Sequence, residues 1–250
     1  MENRVDAAAK HLLNARRSGF RLEGLADCYI PGDRQTAYAV QDALIAQSGE
    51  DIGGWKVAAD GAPDPVCSPL LASAYRSPSE PLQLARTMAT IVEAEVAVEI
   101  GADLPSRDRP FSEAEVEAAI SALRPSLEIL GTRFNRSTDV PPLLAVADLQ
   151  NNSAVISGSA VREWKDLDPS RLRIVLRAAG RTLEARQGAS KADVLAALTF
   201  LANGRARTYG GLRAGQIIIT GARVNMPIAG GGSVVMASFD GLGDMALKLI

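Results

Sequence analysis

The segment IVEAEVAVEI, residues 91–100, sets the strongest constraint on the fold. Val92, Ala94 and every second residue after them are apolar, and they alternate with a set that includes Glu93, Glu95 and Glu99. Alternation with a period of two is typical of a β-strand that buries one face. Side chains at i and i+2 share a face, so two carboxylates lie roughly 7 Å apart along the backbone. The segment therefore predicts a half-buried strand lined by negative charge.

The rest of the chain combines helical and strand-like segments. Helices are predicted over residues 3–19 and 33–48, from Ser112 to Pro125 with a capping box, and after Ser190. Residues 60–71 carry three prolines and are predicted to form a loop. The absence of strict β-α-β alternation argues against a doubly wound parallel sheet and favours an α+β fold. We expect an N-terminal helical region over 1–80 packed on a strand-rich body over 81–250, or a single domain overall.

Composition and charge narrow the possible partners. The chain has 250 residues, a net charge near −2 and 4% aromatic residues, with no basic stripe, which argues against a nucleic-acid partner. No apolar run reaches the roughly 18 residues of a membrane span, and the N-terminus lacks a signal-peptide core. Cys28 and Cys67 lie in unrelated contexts, so we expect two reduced thiols in a cytoplasmic protein.

The few nitrogen and sulfur ligands limit the chemistry. One histidine, His11, and two separated cysteines argue against a zinc site and a Ser-His-Asp hydrolase. Any metal must then be held by oxygen. Glu93 and Glu95 of the strand, with Glu128 in the apolar segment SLEIL, form a set suited to Mg²⁺ or Mn²⁺. The alternative is a solvated strand face that carries like charges.

Lys56 is a second candidate, because it lies in the apolar segment GGWKVAA. A lysine in apolar surroundings can have a lowered pKa and transfer protons. The alternative is a lysine at a sheet edge whose ammonium group extends into water.

Several segments, taken in order, resemble one family. GGWKVAA, PVCSPLL, VEAEVAVEIGADLP, PSLEILGTRF, LRAGQIIITGA and SFDGLG are similar to segments of the 2-keto-4-pentenoate hydratases, which belong with the 4-oxalocrotonate decarboxylases to the fumarylacetoacetate hydrolase superfamily. The resemblance implies a mixed β roll with a few helices, assembled as a homo-oligomer. It implies that Mg²⁺ or Mn²⁺ is held by three residues: Glu93, Glu95 and Glu128. It also implies that Lys56 lies near the substrate and that Thr220 and Gly221 line the site.

The first departure from the family lies in the segment PVCSPLL. Hydratases of this family usually carry an aspartate where this chain has Val66 and a glycine where it has Ser68. Decarboxylase relatives often have an apolar residue at the first position. Val66 and Leu70 are expected to contact the substrate.

The second departure lies in ADLQN, residues 147–151, which matches the hydratase segment A-D-N-A-S. Asp148 is kept and is expected to contact the substrate, but Leu149 replaces an asparagine and Asn151 a serine. Asn151 can donate and accept hydrogen bonds but cannot relay a proton through a hydroxyl. We expect Asn151 and Lys56 to be catalytic.

The resemblance implies a metal-dependent lyase that acts on a small 2-oxo or 2-hydroxydienoic acid. Hydration of 2-hydroxypenta-2,4-dienoate is the first hypothesis, and decarboxylation of 4-oxalocrotonate is the second. A non-catalytic relative that binds a 2-oxo acid is the third. Hydrolysis of a C–C bond in an acylpyruvate is weaker, because it needs an activated water and the sequence shows no His-Glu pair to supply it.

Overall fold

The computed structural model describes residues 3–83, 89–135, 140–229 and 232–250. Its helices begin and end where capping residues occur. Asn3 and Asp33 cap the first two helices, and Gly19 and Gly49 end them in the left-handed conformation. The predicted caps are therefore confirmed. The helices are α1 (Arg4–Ser18), α2 (Arg34–Ser48), α3 (Glu113–Ala118), α4 (Pro142–Ala147) and α5 (Lys191–Asn203).

The strands form one large mixed sheet and two smaller sheets. They are β1 (Ile52–Val57), β2 (Cys67–Leu71), β3 (Tyr75–Arg76), β4 (Ala89–Ile100), β5 (Leu104–Pro105), β6 (Ile120–Leu130), β7 (Asn152–Ser157), β8 (Ile174–Ala178), β9 (Arg181–Ala185), β10 (Gly211–Leu212), β11 (Ile217–Ala229), β12 (Val234–Phe239) and β13 (Gly243–Lys248). The seven-stranded sheet has the order β2-β1-β11-β4-β6-β7-β3, and the four-stranded sheet has the order β13-β12-β8-β9. Strands β5 and β10 pair separately. The charged segment of residues 91–100 lies in β4, at the centre of the large sheet.

The large sheet curls until its two edges approach each other. Tyr75, on the edge strand β3, donates a hydrogen bond of 2.7 Å to the carbonyl of Ile217 on β11. Its ring lies against Gly53 and Gly54 of β1, where a Cβ at Gly54 would clash with the Tyr75 hydroxyl and with backbone. Glycine at this position allows the close approach. The α+β class and the predicted β roll are confirmed.

Two large apolar clusters stabilise the fold. The first packs the large sheet against the four-stranded sheet and α5, around residues such as Trp55, Leu198 and Phe239. The second packs α1, α2 and α4 together, with Leu12 and Leu44 fully buried. The helical cluster packs on the large sheet through Leu71 of β2.

Two expectations on local structure are wrong. Residues 67–71, expected in a loop, form β2, and its pairing with β1 overrides the propensity of Pro69 for loops. The helix from Ser112 ends at Ala118, and Pro125 lies inside β6. Pro125 has no N–H, so it cannot donate to the carbonyl of Gly158, whose own N–H donates to the Pro125 carbonyl. Arg124 Nη1 donates to the Gly158 carbonyl at 2.6 Å instead, so this acceptor still has a partner.

The N-terminal 80 residues do not consist of helices alone. Strands β1 and β2 lie within this region and pair in the same sheet as β4 and β11. We therefore propose the single domain that the sequence left open, with α1 and α2 packed on it. No described helix has the length and apolar character needed to cross a membrane.

Candidate metal centre

Three carboxylates meet on the inner face of the rolled sheet. Glu93 and Glu95 share a face of β4, and Glu128 on β6 is the direct cross-strand partner of Glu93. One carboxylate oxygen from each lies within 4.8 Å of the others. The side chain of Glu93 is 14% exposed and that of Glu128 is fully buried. Like charges placed opposite each other destabilise a sheet, so this arrangement is typical of a functional site.

Lys56 lies beside this cluster. Its Nζ is 2.5 Å from Glu128 Oε2 and 3.7 Å from Glu93 Oε2. Burial lowers the pKa of Lys56, but the charges of Glu128, Glu95 and Glu93 outweigh burial and hold the pKa above its ordinary value. The expectation of a lowered lysine pKa is therefore wrong for the metal-free protein. The expectation of an exposed edge lysine is wrong too, since the side chain is 12% exposed.

The cluster fits a hard divalent cation. Three carboxylates and one ammonium group leave a formal charge of −2 when all are ionised. Burial and the neighbouring Glu128 raise the pKa of Glu95 well above its ordinary value, and burial raises the pKa of Glu93 to about 7. Glu95 Oε1 is buried and has no hydrogen-bond partner. A bound Mg²⁺-like ion would supply the missing positive charge and a ligand for this oxygen.

Backbone and side-chain donors orient two of the carboxylates. The N–H of Gly221 donates to Glu95 Oε2 at 2.7 Å, and Asn152 Nδ2 donates to Glu128 Oε1 at 2.8 Å. The adjacent Thr220 donates its hydroxyl to the Val96 carbonyl, so this side chain fixes β11 against β4. Such partners orient ligands and tune their affinity for metal.

The turn before β7 has an unusual backbone. Leu149, Gln150 and Asn151 have φ values of 52°, 53° and 58°, in the left-handed region. Each such residue costs about 1 kcal/mol or more, so surrounding contacts must hold the turn. The structure places Asn152, and not Asn151, against Glu128. Asn151 Oδ1 is buried without a hydrogen-bond partner, so its catalytic role stays a prediction.

Two departures from the family meet at one point near Lys56. Ser68 is the cross-strand partner of Lys56, so both side chains point to the same face. The Ser68 hydroxyl accepts hydrogen bonds from Gln41 Nε2 at 2.8 Å and from Gln150 Nε2 at 3.0 Å. The left-handed turn therefore brings Gln150 to the segment that differs from the hydratases.

Two other expected substrate contacts lie in or beside β2. Leu70 belongs to a small buried apolar cluster with Ala97, Val155 and Ile219. Val155 is the cross-strand partner of Glu128, so this cluster lies on the same face as the carboxylates. Val66 is half-buried just before β2. Contacts of Val66 and Leu70 with a substrate stay predictions.

Asp148 is engaged by arginines. It is fully buried, and Arg16 Nε donates to its Oδ1 at 3.0 Å. Arg133 Nε lies 3.4 Å from Asp148 Oδ2. These ion pairs join α1 to the turn before β7, so Asp148 has a clear structural role. Its contact with a substrate stays a prediction.

Glu99 is separate from the cluster, although it lies on the same strand. Arg124 Nε donates to Glu99 Oε2 at 2.6 Å, and the Ser121 hydroxyl donates to Oε1 at 3.0 Å. The side chain is 15% exposed and paired with Arg124, so Glu99 belongs to a separate ion pair. His11, the single histidine of the chain, lies on α1 beside Tyr29, and their ring centroids are 5.7 Å apart.

No sequence pattern pointed to Asn152, Gln150 or Arg223 as site residues. Asn152 and Gln150 flank Asn151, the residue predicted to be catalytic. Only the backbone turn decides which of these side chains points inward. Arg223 follows the Thr-Gly segment by two residues, and it lines a cavity next to that segment. The sequence signal for Arg223 is its charge together with its position two residues after the predicted Thr-Gly segment.

Comparison with known proteins places this site in context. The family model described as fumarylacetoacetate (FAA) hydrolase C-terminal matches residues 45–250. A 2-keto-4-pentenoate hydratase of Burkholderia vietnamiensis (strain G4 / LMG 22486) is 28% identical over 256 residues, which cover 98% of this chain and 97% of the relative. The TodF product hydratase of Pseudomonas putida F1 is 29% identical over 253 residues, covering 96% and 93%.

A solved structure shares the complete fold. The 4-oxalocrotonate decarboxylase from Pseudomonas putida G7, complexed with magnesium and adipate, superposes with a TM-score of 0.82. The match covers 100% of this chain and 99% of that chain at 22% sequence identity. The same protein has also been solved with calcium and acetate.

Proposed function

The chain belongs to the fumarylacetoacetate hydrolase family, and we propose that it is a divalent-metal-dependent lyase acting on a small 2-oxo or 2-hydroxydienoic acid. The observation that carries this proposal is the buried cluster of Glu93, Glu95 and Glu128 beside Lys56. The hydratase names of relatives that align over nearly the full chain support hydration as the first candidate reaction.

The three glutamates would hold the metal, with Mg²⁺ or Mn²⁺ as the proposed ion. A bound divalent cation supplies a Lewis acid that polarises the oxygens of a 2-oxo acid. The buried position of Glu95 and Glu128 keeps water from the ligand oxygens. Gly221 and Asn152 hold two of these carboxylates in fixed orientations through hydrogen bonds.

Lys56 is the proposed proton carrier. Its ammonium group lies between Glu128 and Glu93, so it can hold or deliver a proton at a substrate bound next to them. In hydration, 2-hydroxypenta-2,4-dienoate is converted to its keto form by a proton shift from oxygen to carbon. Water then adds across the remaining double bond to give 4-hydroxy-2-oxopentanoate.

Decarboxylation is the second candidate, because this chain has the apolar Val66 where the resemblance implies an aspartate in hydratases. Ser68, the cross-strand partner of Lys56, stands where those hydratases carry a glycine. The chain therefore lacks the aspartate carboxylate near the lysine. Loss of CO₂ from 4-oxalocrotonate would need the same metal and the same lysine, so these groups do not separate the two reactions.

The test uses the purified protein with Mg²⁺ or Mn²⁺. Loss of diene absorbance from 2-hydroxypenta-2,4-dienoate supports hydration, and CO₂ release from 4-oxalocrotonate supports decarboxylation. Metal binding without turnover of either acid supports the non-catalytic relative. Failure to bind either metal refutes the proposal. The Glu95→Gln variant is the control that separates reaction at this site from a contaminating activity.

A homo-oligomer in the cytoplasm remains part of the proposal. Oligomeric assembly and location rest on the family resemblance and on the composition of the chain. Light scattering of the purified protein measures the oligomer size directly.

A further inference from the structure

A cavity of 380 Å³ lies on the face of the large sheet opposite the carboxylate cluster. Ile129 of β6 and Ala154 of β7 line it, and these two residues are cross-strand partners. Ile129 follows Glu128 directly along β6, so the two side chains point to opposite faces of the sheet. The cavity is therefore separate from the metal centre.

Arginines from four segments line this cavity, which we call the arginine cavity. They come from the last turn of α1, from the segment after α1, from β3 and from the segment after β6. No aspartate or glutamate of the described residues lines the cavity with them. The net charge of the whole chain is −2, so the positive charge is concentrated here. The arginines are Arg16, Arg17, Arg21, Arg76 and Arg133.

Nearby negative charge offsets only part of this positive charge. Asp148 accepts from Arg16 and lies 3.4 Å from Arg133, so one carboxylate serves two of the arginines. Glu50 lines an adjoining cavity with Arg76, and its Oε2 accepts from the N–H of Ser73. The carboxyl end of α1 adds roughly half a negative charge. Together these groups do not balance the five guanidinium groups of the cavity.

Two of the arginines keep unused donors. Arg21 Nε and Nη2 are buried and have no hydrogen-bond partner. No carboxylate of the described residues forms an ion pair with Arg21 or Arg76. A buried donor without a partner costs free energy. A ligand that accepts from Arg21 would remove this cost.

The guanidinium groups of the arginine cavity also repel one another. Arg133 is 8% exposed, and burial lowers its pKa to about 10. The positive charges of Arg16 and Arg21 lower this pKa further, against the attraction of Asp148. An anion bound among these groups would relieve the repulsion and accept charge-assisted hydrogen bonds.

We propose that the arginine cavity binds a tetrahedral oxyanion of the phosphate class, either inorganic phosphate or a phosphate monoester. The donors belong to four separate segments, so they surround an anion instead of meeting it in one plane. The Thr132 hydroxyl in the wall accepts from the N–H of Phe134, and its own hydrogen can donate to the anion. The apolar side chains of Leu82 and Ile129 leave a surface for the organic part of a small monoester.

The test measures binding of inorganic phosphate and of glycerol 3-phosphate by calorimetry, with the full chain, no divalent metal and constant ionic strength. Without metal, the carboxylates of the metal centre offer these anions no second site. We expect Arg21→Gln and Arg76→Gln each to weaken phosphate binding about 10- to 100-fold. Arg171→Gln, at an exposed arginine outside the cavity, should leave it unchanged. Tighter binding of glycerol 3-phosphate than of phosphate supports a monoester, and the reverse order supports the free ion.

Thermal unfolding gives a second measurement. Phosphate should raise the melting temperature of the unaltered chain and of Arg171→Gln, and it should raise that of Arg21→Gln less. If Arg21→Gln folds poorly, Arg76→Gln keeps the proposal testable, because Arg76 is exposed and has no ion pair among the described residues.

Three results would overturn the proposal. The first is that neither anion binds, and the second is that Arg171→Gln weakens binding as much as Arg21→Gln, which indicates nonspecific attraction. The third is that phosphate does not bind while Arg21→Gln dissociates an oligomer in light scattering, which indicates that a second copy of the chain fills the cavity. None of these results affects the proposed function, which fails instead if the chain does not bind Mg²⁺ or Mn²⁺.

Discussion

Replacing Asn152 with leucine is expected to weaken Mg²⁺ or Mn²⁺ binding about 10- to 100-fold. Asn152 donates its side-chain amide to Glu128, one of the three proposed metal ligands. Leucine has the same number of side-chain heavy atoms and the same branching, so the variant loses the donor without opening a large space. Glu128 then keeps Lys56 as a partner and loses the group that fixes its second oxygen.

The magnitude follows from the geometry and burial of this hydrogen bond. The Nδ2–Oε1 distance is 2.8 Å. Asn152 is 1% exposed and Glu128 is fully buried, so water has little access to replace the lost donor. A hydrogen bond to a charged group contributes about 1.5–3 kcal/mol. Since about 1.4 kcal/mol is a factor of ten, the expected loss is about one to two orders of magnitude in Kd.

The assay is calorimetric titration of metal-stripped protein, with circular dichroism and thermal unfolding to verify the fold. Asn151→Gly is the matched control, because glycine adopts the φ of 58° without strain and Asn151 makes no hydrogen bond to the carboxylates. We expect its Kd to equal that of the unaltered chain.

The opposite pattern would refute the reasoning. If Asn152→Leu binds metal normally and Asn151→Gly does not, the contact with Glu128 is irrelevant to affinity. Asn151, and not Asn152, would then be the residue that supports metal binding.

Three further predictions concern charge and packing. Glu95→Gln should abolish metal binding and raise the melting temperature of the metal-free protein, because burial and Glu128 disfavour the ionised form of the Glu95 carboxyl. Glu99→Gln should keep metal binding, because Glu99 pairs with Arg124 outside the cluster. Because the pKa of Glu93 is raised to about 7 in the folded metal-free state, stability from this group should fall as pH rises from about 4.5 to 7. Urea unfolding should show this slope, and Glu93→Gln should flatten it. Gly54→Ala should destabilise the roll by about 1–3 kcal/mol or more through overpacking, whereas Gly24→Ala, in open space, should leave urea unfolding unchanged.

The local features of the chain could be predicted from the sequence because they depend on nearby residues. The caps at Asp33 and Ser190 act within one helical turn. The side chains of Glu93 and Glu95 share a face because strand geometry alternates with a period of two. Glu128 is a candidate because it lies in the apolar segment SLEIL, and the register of β6 against β4 brings it opposite Glu93.

Pairing between distant strands overrode local preferences elsewhere. Pro125 was expected to end a helix, yet it lies inside β6 because Arg124 satisfies the acceptor that the proline cannot. Residues 67–71, the last part of the proline-rich segment, form β2 because they pair with β1. Sequence patterns do not encode such long-range compensation.

The sequence by itself predicted a carboxylate-lined strand, a set of oxygen ligands for a metal and the family of the fold. Tertiary structure alone decided which side chains contact those carboxylates. A left-handed turn directs Asn152 to Glu128, and the carboxylates raise the pKa of Lys56. These outcomes depend on distances between residues far apart in the chain, which the order of residues does not state.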